Sequence, residues 1–274
     1  MKKVKSLREE FPTVIDRAYA QYKKRRLVED IMSKDVMTIS LEASMAEAAK
    51  FMGAKRVGSL IVESQGRPKG IVTERDLLSE VLAKEKEPKR VKVKEVMSSP
   101  LITIEAKATI KEAAQTMITQ KGRLVVFEQE RLVGIITAAD LIKSLPDSLE
   151  TLSKIESIMT KKVITVPSNT TVEDVAKIMG EKRIGSIIIT KRGKPFGIFT
   201  ERDLLTTFLT RDKSLKTRVG VAASTPLITI PLETSVHQAA LTMALKHIRR
   251  LPIIHDSKMV GIITARDLVE AYAK

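Results

Sequence analysis

The chain has 274 residues, of which 43% are hydrophobic and 30% charged, a balance that supports a packed core and argues against disorder. It has no cysteine, which excludes disulfides, thiolate zinc sites and cysteine nucleophiles. An aromatic content of 3% supplies few platforms for stacking single-stranded nucleic acid. The formal net charge of +15 fits either a solvated surface or attraction to a polyanion such as nucleic acid.

The first 26 residues are strongly basic, with nine Lys or Arg and three acidic residues. They predict a helix that ends in the run KKRR at 23–26, where cations complement the helix dipole. The same run could contact nucleic acid, although the segment is too short for a helix-turn-helix. The segment lacks the apolar centre of a signal peptide, and no apolar run in the chain approaches the ~18 residues of a membrane helix. We therefore expect a cytoplasmic protein that does not contact a membrane.

One phrase then recurs four times: GIVTERDLL at 70–78, GIITAADLI at 134–142, GIFTERDLL at 197–205 and GIITARDLV at 261–269. Its aspartates are separated by 64, 63 and 64 residues. A match of Gly, two apolar residues, Thr and Asp, repeated at one period, indicates four copies of one structural unit.

Each unit has the same order of elements. A short β-type run is followed by a helix, whose start has Ser or Thr as N-cap and Glu, Asp or Gln three residues later, the pattern of a capping box. These pairs are Ser44/Glu47, Thr109/Glu112, Thr171/Asp174 and Ser235/Gln238. Two β-rich runs joined by a polar turn come next, and the TxxD motif opens a second helix. The unit is thus β-α-β-β-α, and a unit of about 60 residues has a marginal core when alone.

We place the four units at residues 27–86, 91–146, 154–212 and 217–274, and call them repeats 1 to 4. Repeats 1 and 3 share TERDLL, whereas repeats 2 and 4 share PLITI and VGIITAxDL. This ABAB order predicts a two-unit domain that was duplicated once. The charged stretch at 84–94 is the predicted connector within the first half, and Pro146, Asp147 and Ser148 mark the joint between halves.

With the repeats laid out, the chain resembles the cystathionine-β-synthase (CBS) domain family, whose unit is β-α-β-β-α and whose most recognisable motif is G-h-h-T-x-x-D. The resemblance covers residues 27–274. It implies an α/β (α+β) fold of tandem CBS domains, paired into two Bateman modules. It also implies that clefts between paired units bind an adenosine compound such as AMP, ADP or ATP.

The resemblance assigns roles to specific positions. The motif Thr faces the phosphate and the motif Asp takes the ribose hydroxyls, at Thr73, Asp76, Thr137, Asp140, Thr200, Asp203, Thr264 and Asp267. Backbone of the first strand lines the adenine, at Val36, Leu101, Val163 and Leu227.

Arginines near the second strand are candidates for phosphate, because a guanidinium can bind phosphate oxygens bidentately. We align Arg56, Gly122, Arg183 and Arg249 at one position, and Val57, Arg123, Ile184 and Arg250 at the next. Beside the motif Asp stand Arg75, Ala139, Arg202 and Arg266. Repeat 2 lacks an arginine at two of these positions, so we expect the site built on Asp140 to be the weakest, with Arg123 as the one compensation.

Two motifs also have purely structural interpretations. Thr and Asp of TxxD form a capping box, which stabilises a helix by on the order of 1 kcal/mol without any ligand. The motif glycine permits close approach of a ligand or another backbone, and a turn or bulge explains it equally well.

The leading hypothesis is a regulatory sensor without catalytic residues, metal or resident cofactor, whose ligand is an adenine nucleotide. It would form a homodimer and act on an effector protein of unknown identity. The alternative is a nucleic-acid-binding protein that uses the basic surface. We do not expect an enzyme, because no Ser/His/Asp set, metal-ligand cluster or P-loop is present in the sequence.

Overall fold

The computed structural model of the protein describes residues 27–144 and 154–274. The predicted helix within 1–26 and the predicted joint at 146–148 lie outside these ranges. In the parts of the chain that are described, no helix combines the length and apolarity that crossing a bilayer requires.

The helices and strands follow the predicted order in every repeat. Repeat 1 contains α1 (Val28–Ile31), β1 (Thr38–Ser40), α2 (Met45–Lys55), β2 (Ser59–Ser64), β3 (Arg67–Thr73) and α3 (Glu74–Asp76), which continues as the π-helical segment Leu77–Leu82. Repeat 2 contains a 3-10 turn (Val93–Glu95), β4 (Thr103–Glu105), α4 (Ile110–Thr119), β5 (Leu124–Glu128), β6 (Arg131–Ile136) and α5 (Ala138–Ile142).

The second half repeats this arrangement. Repeat 3 contains α6 (Ile155–Ile158), β7 (Thr165–Pro167), α7 (Val172–Glu181), β8 (Ser186–Lys191), β9 (Lys194–Thr200) and α8 (Glu201–Asp203), which continues as the π-helical segment Leu204–Leu209. Repeat 4 contains a 3-10 turn (Val219–Val221), β10 (Ile230–Pro231), α9 (Val236–Lys246), β11 (Arg250–His255), β12 (Lys258–Thr264) and α10 (Ala265–Ala273).

The predicted capping boxes explain where the first helices begin. At Ser44 the hydroxyl accepts a hydrogen bond from the Glu47 N–H at 3.2 Å, and the Glu47 carboxylate accepts one from the Ser44 N–H at 2.7 Å. Reciprocal boxes also form at Thr109 and Ser235. At Thr171 the hydroxyl oxygen accepts a hydrogen bond from the Asp174 N–H, and the Asp174 carboxylate accepts one from the Thr171 hydroxyl instead of from the Thr171 N–H. The box predicted there is therefore only half formed.

Each repeat builds a three-stranded sheet in sequence order, with the first pair of strands parallel and the second antiparallel. The register of the antiparallel pair shifts beside the motif glycine, between Val62 and Glu63 opposite Gly70, and similarly in the other repeats. The predicted β-α-β-β-α unit and the α/β fold class are confirmed.

Isolated β-bridges between repeats show which repeats pair with each other. Ser98, just before the first strand of repeat 2, bridges Ile71 of repeat 1, and Ser33 of repeat 1 bridges Ile135 of repeat 2. The same exchange links repeats 3 and 4 through Thr160 and Ser224. Repeats 1 and 2 therefore form module 1, and repeats 3 and 4 form module 2, as the resemblance implied.

The exchange explains the motif glycine. A Cβ built on Gly70 would stand 2.7 Å from the Ser98 carbonyl oxygen and 2.8 Å from the Met97 sulfur. Gly134, Gly197 and Gly261 face the corresponding segments of their partner repeats just as closely. Another backbone, rather than a ligand, therefore approaches this glycine, and the adjacent bulge supports the structural interpretation given above.

Helices join the two modules. Helix α2 of repeat 1 packs on the π-helical segment of repeat 3, α7 of repeat 3 packs on that of repeat 1, and α10 of repeat 4 packs on α4 of repeat 2. Leu205 of repeat 3 lies in the core of repeat 1, and Leu78 of repeat 1 lies in that of repeat 3. A third core spans repeats 2 and 4. An approximate two-fold axis thus relates repeat 1 to repeat 3 and repeat 2 to repeat 4.

We expect Gly70→Ala to destabilise the protein by about 2 kcal/mol, because the new methyl group would collide with the Ser98 carbonyl that pairs with this strand. A thermal melt should show a decrease of a few degrees in Tm. Gly66→Asn is the control, since Gly66 is left-handed and a Cβ there meets open space. Equal melting temperatures for Gly70→Ala and the unmodified chain would contradict the close-approach argument.

Candidate ligand-binding site

The four TxxD motifs adopt one geometry at the start of the second helix. In repeat 1 the Asp76 Oδ2 accepts hydrogen bonds from the Thr73 N–H and hydroxyl, both at 2.8 Å. The corresponding distances at Asp140 are 3.0 and 2.7 Å, and the pairs Thr200/Asp203 and Thr264/Asp267 match them. The capping box is therefore complete in repeats 1, 3 and 4, where the threonine hydroxyl also accepts from the aspartate N–H. In repeat 2 the Asp140 N–H donates to the Thr137 carbonyl instead, so that box is only half formed. In all four motifs these bonds use one oxygen of the carboxylate.

Partial burial changes the acidity of three of these carboxylates. Loss of solvent raises the pKa of Asp76, Asp203 and Asp267, and hydrogen bonds from the motif threonines oppose part of that rise. These three aspartates therefore lose their charge at a higher pH than an ordinary aspartate does.

A cavity of about 280 Å³ opens beside Thr137 and Asp140, and we call it the Asp140 cavity. Residues from all four repeats line it. Repeat 1 contributes Val36 and the strand start at 57–61, and repeat 2 contributes Arg123, Ile135 and Ala139 as well as the motif. Module 2 contributes Arg202 of repeat 3 and the stretch Met243 to Arg249 of repeat 4.

Ala139 has a direct effect on this cavity. It stands where the other three repeats carry arginine beside the motif aspartate. The small side chain leaves open the volume that an arginine would fill. Ala139 therefore bears on the volume of the cavity as well as on its charge.

Three arginines line the Asp140 cavity, although only one of them, Arg123, comes from repeat 2. Arg249 and Arg202 reach it from module 2. The Arg249 guanidinium lies 3.6 Å from the buried carboxylate of Glu74, and the Nε of Arg202 is buried without a hydrogen-bond partner among the described residues. Three arginines and Asp140 thus line the same cavity.

The strand register corrects our alignment of the arginines. Arg250 pairs with Thr264 as Ser59 pairs with Thr73, and Arg123 directly precedes the equivalent pair in repeat 2. Arg250 is therefore equivalent to Arg123, while Arg249 is equivalent to Gly58, Gly122 and Gly185. Arg56 and Arg183 occupy the left-handed end of the first helix, where repeat 4 has His247. The alignment of Arg56 and Arg183 with Arg249 was wrong.

Gly122 therefore affects the place near Asp267 in module 2 and not the Asp140 cavity. Arg249 of repeat 4 lines the cavity of module 1, so its equivalent in repeat 2 faces the corresponding place in module 2, near Asp267. By the two-fold relation, the place beside Asp267 has Gly122 where the Asp140 cavity has Arg249. The expectation that the Asp140 site is the weakest stays a prediction.

The remaining predicted residues lie elsewhere. Arg56 is exposed, and Arg183 is exposed with an ion pair of 3.6 Å to Glu80. Leu101, Val163, Leu227 and Arg266 are half-buried and do not line the Asp140 cavity. Of the predicted adenine-facing positions, Val36 is the one that lines it.

Two buried glutamates were missed from the sequence. Glu74 and Glu201, the first residues of α3 and α8, are only 2% and 7% exposed. Arg250 lies 3.0 Å and Arg75 3.5 Å from the Glu201 carboxylate. We call Glu74, Glu201, Arg75, Arg123, Arg249 and Arg250 the Glu–Arg cluster. The available signal was that this motif position is Glu in repeats 1 and 3 but Ala in repeats 2 and 4.

Glycines let the cluster form between repeats. A Cβ on Gly58 would stand 2.8 Å from the Glu74 Oε2 and 3.1 Å from the Arg123 Nη2. At Gly185 the Arg250 guanidinium and the Glu201 carboxylate approach in the same way. Each arginine therefore crosses from its own repeat onto the glutamate of its module partner.

The arginines keep Glu201 ionised. Burial alone would raise the pKa of Glu201, but the guanidinium groups of Arg250 and Arg75 outweigh that effect and hold the pKa below its ordinary value. A lowered folded-state pKa stabilises the protein above the unfolded-state value of about 4.3, and this stabilisation is lost as the pH falls through the folded-state pKa.

We expect Arg250→Met to destabilise the protein by about 3 kcal/mol at pH 7, because it leaves a buried carboxylate with Arg75 as its nearest cation. The difference in Tm from the unmodified chain should narrow as the pH falls, because Glu201 without Arg250 takes up a proton at a higher pH than it does in the unmodified chain. Arg183→Met is the control, since its ion pair is exposed. A pH-independent difference, or equal losses in both variants, would contradict this account of the cluster.

The sequence model of the CBS domain matches four stretches, residues 28–83, 93–147, 155–209 and 219–274. Two proteins of Methanocaldococcus jannaschii are similar over 90% of this chain: MJ1404 with 25% identity and MJ1225 with 23% identity. The match covers 62% of MJ1404 and 99% of MJ1225, so the chain spans less than two thirds of the former.

Solved structures agree on the fold. The crystal structure of MJ1225, named as a candidate archaeal homologue of g-AMPK, superposes with a TM-score of 0.74 over 90% of this chain and 100% of that one. An uncharacterised conserved protein from Pyrococcus horikoshii gives 0.63 at 22% identity, over the same shares of the two chains. Four family matches cover most of the chain and coincide with the four sheets. The protein therefore belongs to the CBS-domain family.

Proposed function

We propose that this chain is a regulatory protein that binds an adenine nucleotide in the Asp140 cavity and catalyses no reaction. CBS-domain proteins of this kind are generally regulatory. The observation that carries the proposal is the combination, in one cavity, of a helix-capping carboxylate with three arginines from three different repeats. Neither feature alone would identify a nucleotide.

The chemistry of the cavity suits the three parts of a nucleotide. The Asp140 carboxylate uses one oxygen for the cap, which leaves acceptor capacity for ribose hydroxyls. Arg123, Arg202 and Arg249 provide charged donors for phosphate. Val36, Ile135 and Ile248 supply apolar surface for a base. A volume of 280 Å³ is near the lower end of the ~300–1,000 Å³ typical of ligand pockets, which favours a mononucleotide.

Binding in this cavity would couple the two modules. A ligand held by Asp140 of module 1 and Arg249 of module 2 stabilises the arrangement that brings both residues together. In our proposal, the effector that responds to this change is a partner protein. MJ1225, which shares the fold, is described as a candidate archaeal homologue of g-AMPK.

Titration calorimetry with AMP, ADP and ATP tests the proposal. We expect Asp140→Ala to lower the affinity of the strongest site at least tenfold, the effect of losing a hydrogen bond to a charged group. Asp267→Ala and Asp203→Ala are matched controls, because each also removes one TxxD cap, and both should retain that site. Loss of binding in Asp203→Ala but not in Asp140→Ala would restore our original ranking, and absence of heat with every nucleotide would overturn the function.

A further inference from the structure

Helix α9 presents an apolar surface that its three counterparts do not. Leu241 and Leu245 are 48% and 69% exposed, and they lie four residues apart on one face. We call these two residues the Leu241 patch. The same helix lines the Asp140 cavity with other residues, so this surface belongs to a well-packed element.

The equivalent position in the other repeats contacts the end of a second helix or the chain that follows it. Leu241 is the sixth residue of α9, and the sixth residues of the other first helices are Lys50, Gln115 and Lys177. Lys50 forms an ion pair of 2.8 Å with Asp212, and Lys177 forms one with Glu85. Gln115 donates a hydrogen bond to the carbonyl of Ala273 at 3.5 Å. The partner comes in each case from the repeat related by the two-fold axis.

The two acidic partners share one position. Glu85 and Asp212 each stand nine residues after the aspartate of their own TxxD motif, and both have a left-handed backbone. In repeat 2, the two-fold partner of repeat 4, the residue nine positions after Asp140 is Leu149. The positions of the lysine–acid pairs of repeats 1 and 3 are thus both occupied by leucine in repeats 2 and 4, at 149 and 241.

We propose that residues 145–153, the segment LPDSLETLS outside the described ranges, dock on the Leu241 patch through Leu149. The segment starts directly after α5, whose residue Ile142 lines the same cavity as α9, and it must reach Lys154. Helix α5 contacts α9 directly, and nine residues can span roughly 30 Å when extended. Its leucines at 145, 149 and 152 have the i, i+4, i+7 spacing that matches one apolar face.

The residue types at the two positions support Leu149 as the residue that contacts Leu241. Both members of the ion pair change together, from Lys and acid to Leu and Leu, which preserves a matched contact at this position. The basic segment at 1–26 and a second copy of the chain are the other possible occupants, but neither shares the register that places Leu149 opposite Leu241.

A charge-swap cycle tests the contact without any nucleotide. We expect Leu149→Glu and Leu241→Lys each to lower the Tm by several degrees, and the double variant to recover at least half of the summed loss by forming the lysine–acid pair of the other repeats. The control pair is Leu152→Glu with Leu241→Lys, which should show no recovery. Additive losses for the Leu149 pair would overturn the proposal.

Cross-linking identifies the occupant directly, since the chain has no native cysteine. A short bismaleimide suits the test better than a disulfide, because a lysine–acid pair spans a longer Cα separation than a disulfide accepts. We expect Leu149→Cys with Leu241→Cys to give an intramolecular cross-link, and Leu149→Cys with Lys50→Cys to give none. A cross-linked dimer would show that a second copy covers the patch, and failure of both pairs to cross-link would show that residues 145–153 lie elsewhere. Either result would overturn the proposal.

Discussion

The assembly of the four repeats depends on the burial of two carboxylates. Glu74 and Glu201 begin the second helices of repeats 1 and 3, and both are almost fully removed from solvent. A buried carboxylate is stable only when cations and hydrogen bonds replace water. The cations come from neighbouring repeats: Arg250 and Arg75 face Glu201, and Arg249 faces Glu74. Arg75 lies in module 1 and faces Glu201 of module 2, and Arg249 lies in module 2 and faces Glu74 of module 1. Neutralising the buried charges therefore requires the two modules to pack in this arrangement.

The same requirement explains the ABAB order of the sequence. Repeats 1 and 3 supply glutamate and a glycine at the start of the second strand, while repeats 2 and 4 supply the arginine that enters that space. The ABAB alternation of the repeats therefore reflects the pairing of glutamates from repeats 1 and 3 with arginines from repeats 2 and 4.

Much of the fold could be predicted because its signals are local and repeated. The TxxD motif, the caps and the strand runs each depend on residues a few positions apart, and four copies reduce the ambiguity of any single one. The positions of the arginines could not be predicted in the same way. Arg183 and Arg249 resemble each other in their sequence neighbours, but pairing with the motif strand sets the register, and it places Arg249 level with Gly185. Whether an arginine serves its own module or the opposite one depends on the packing of helices between modules, which no local pattern records.

The candidate site is located where the two-fold relation is broken. At Ala139 an arginine is missing beside the motif aspartate, and at Arg249 an arginine is added where repeat 2 has Gly122. Both differences act on the Asp140 cavity, since Ala139 opens volume and Arg249 adds charge from the other module. A fully symmetric assembly would offer equivalent places in both modules, whereas these two substitutions concentrate volume and cations in one. Arg249 lies 3.6 Å from Glu74 and also lines the cavity. If the proposed ligand binds there, its phosphate would compete with Glu74 for one guanidinium, and this competition would give the ligand a physical means of changing the packing of the modules.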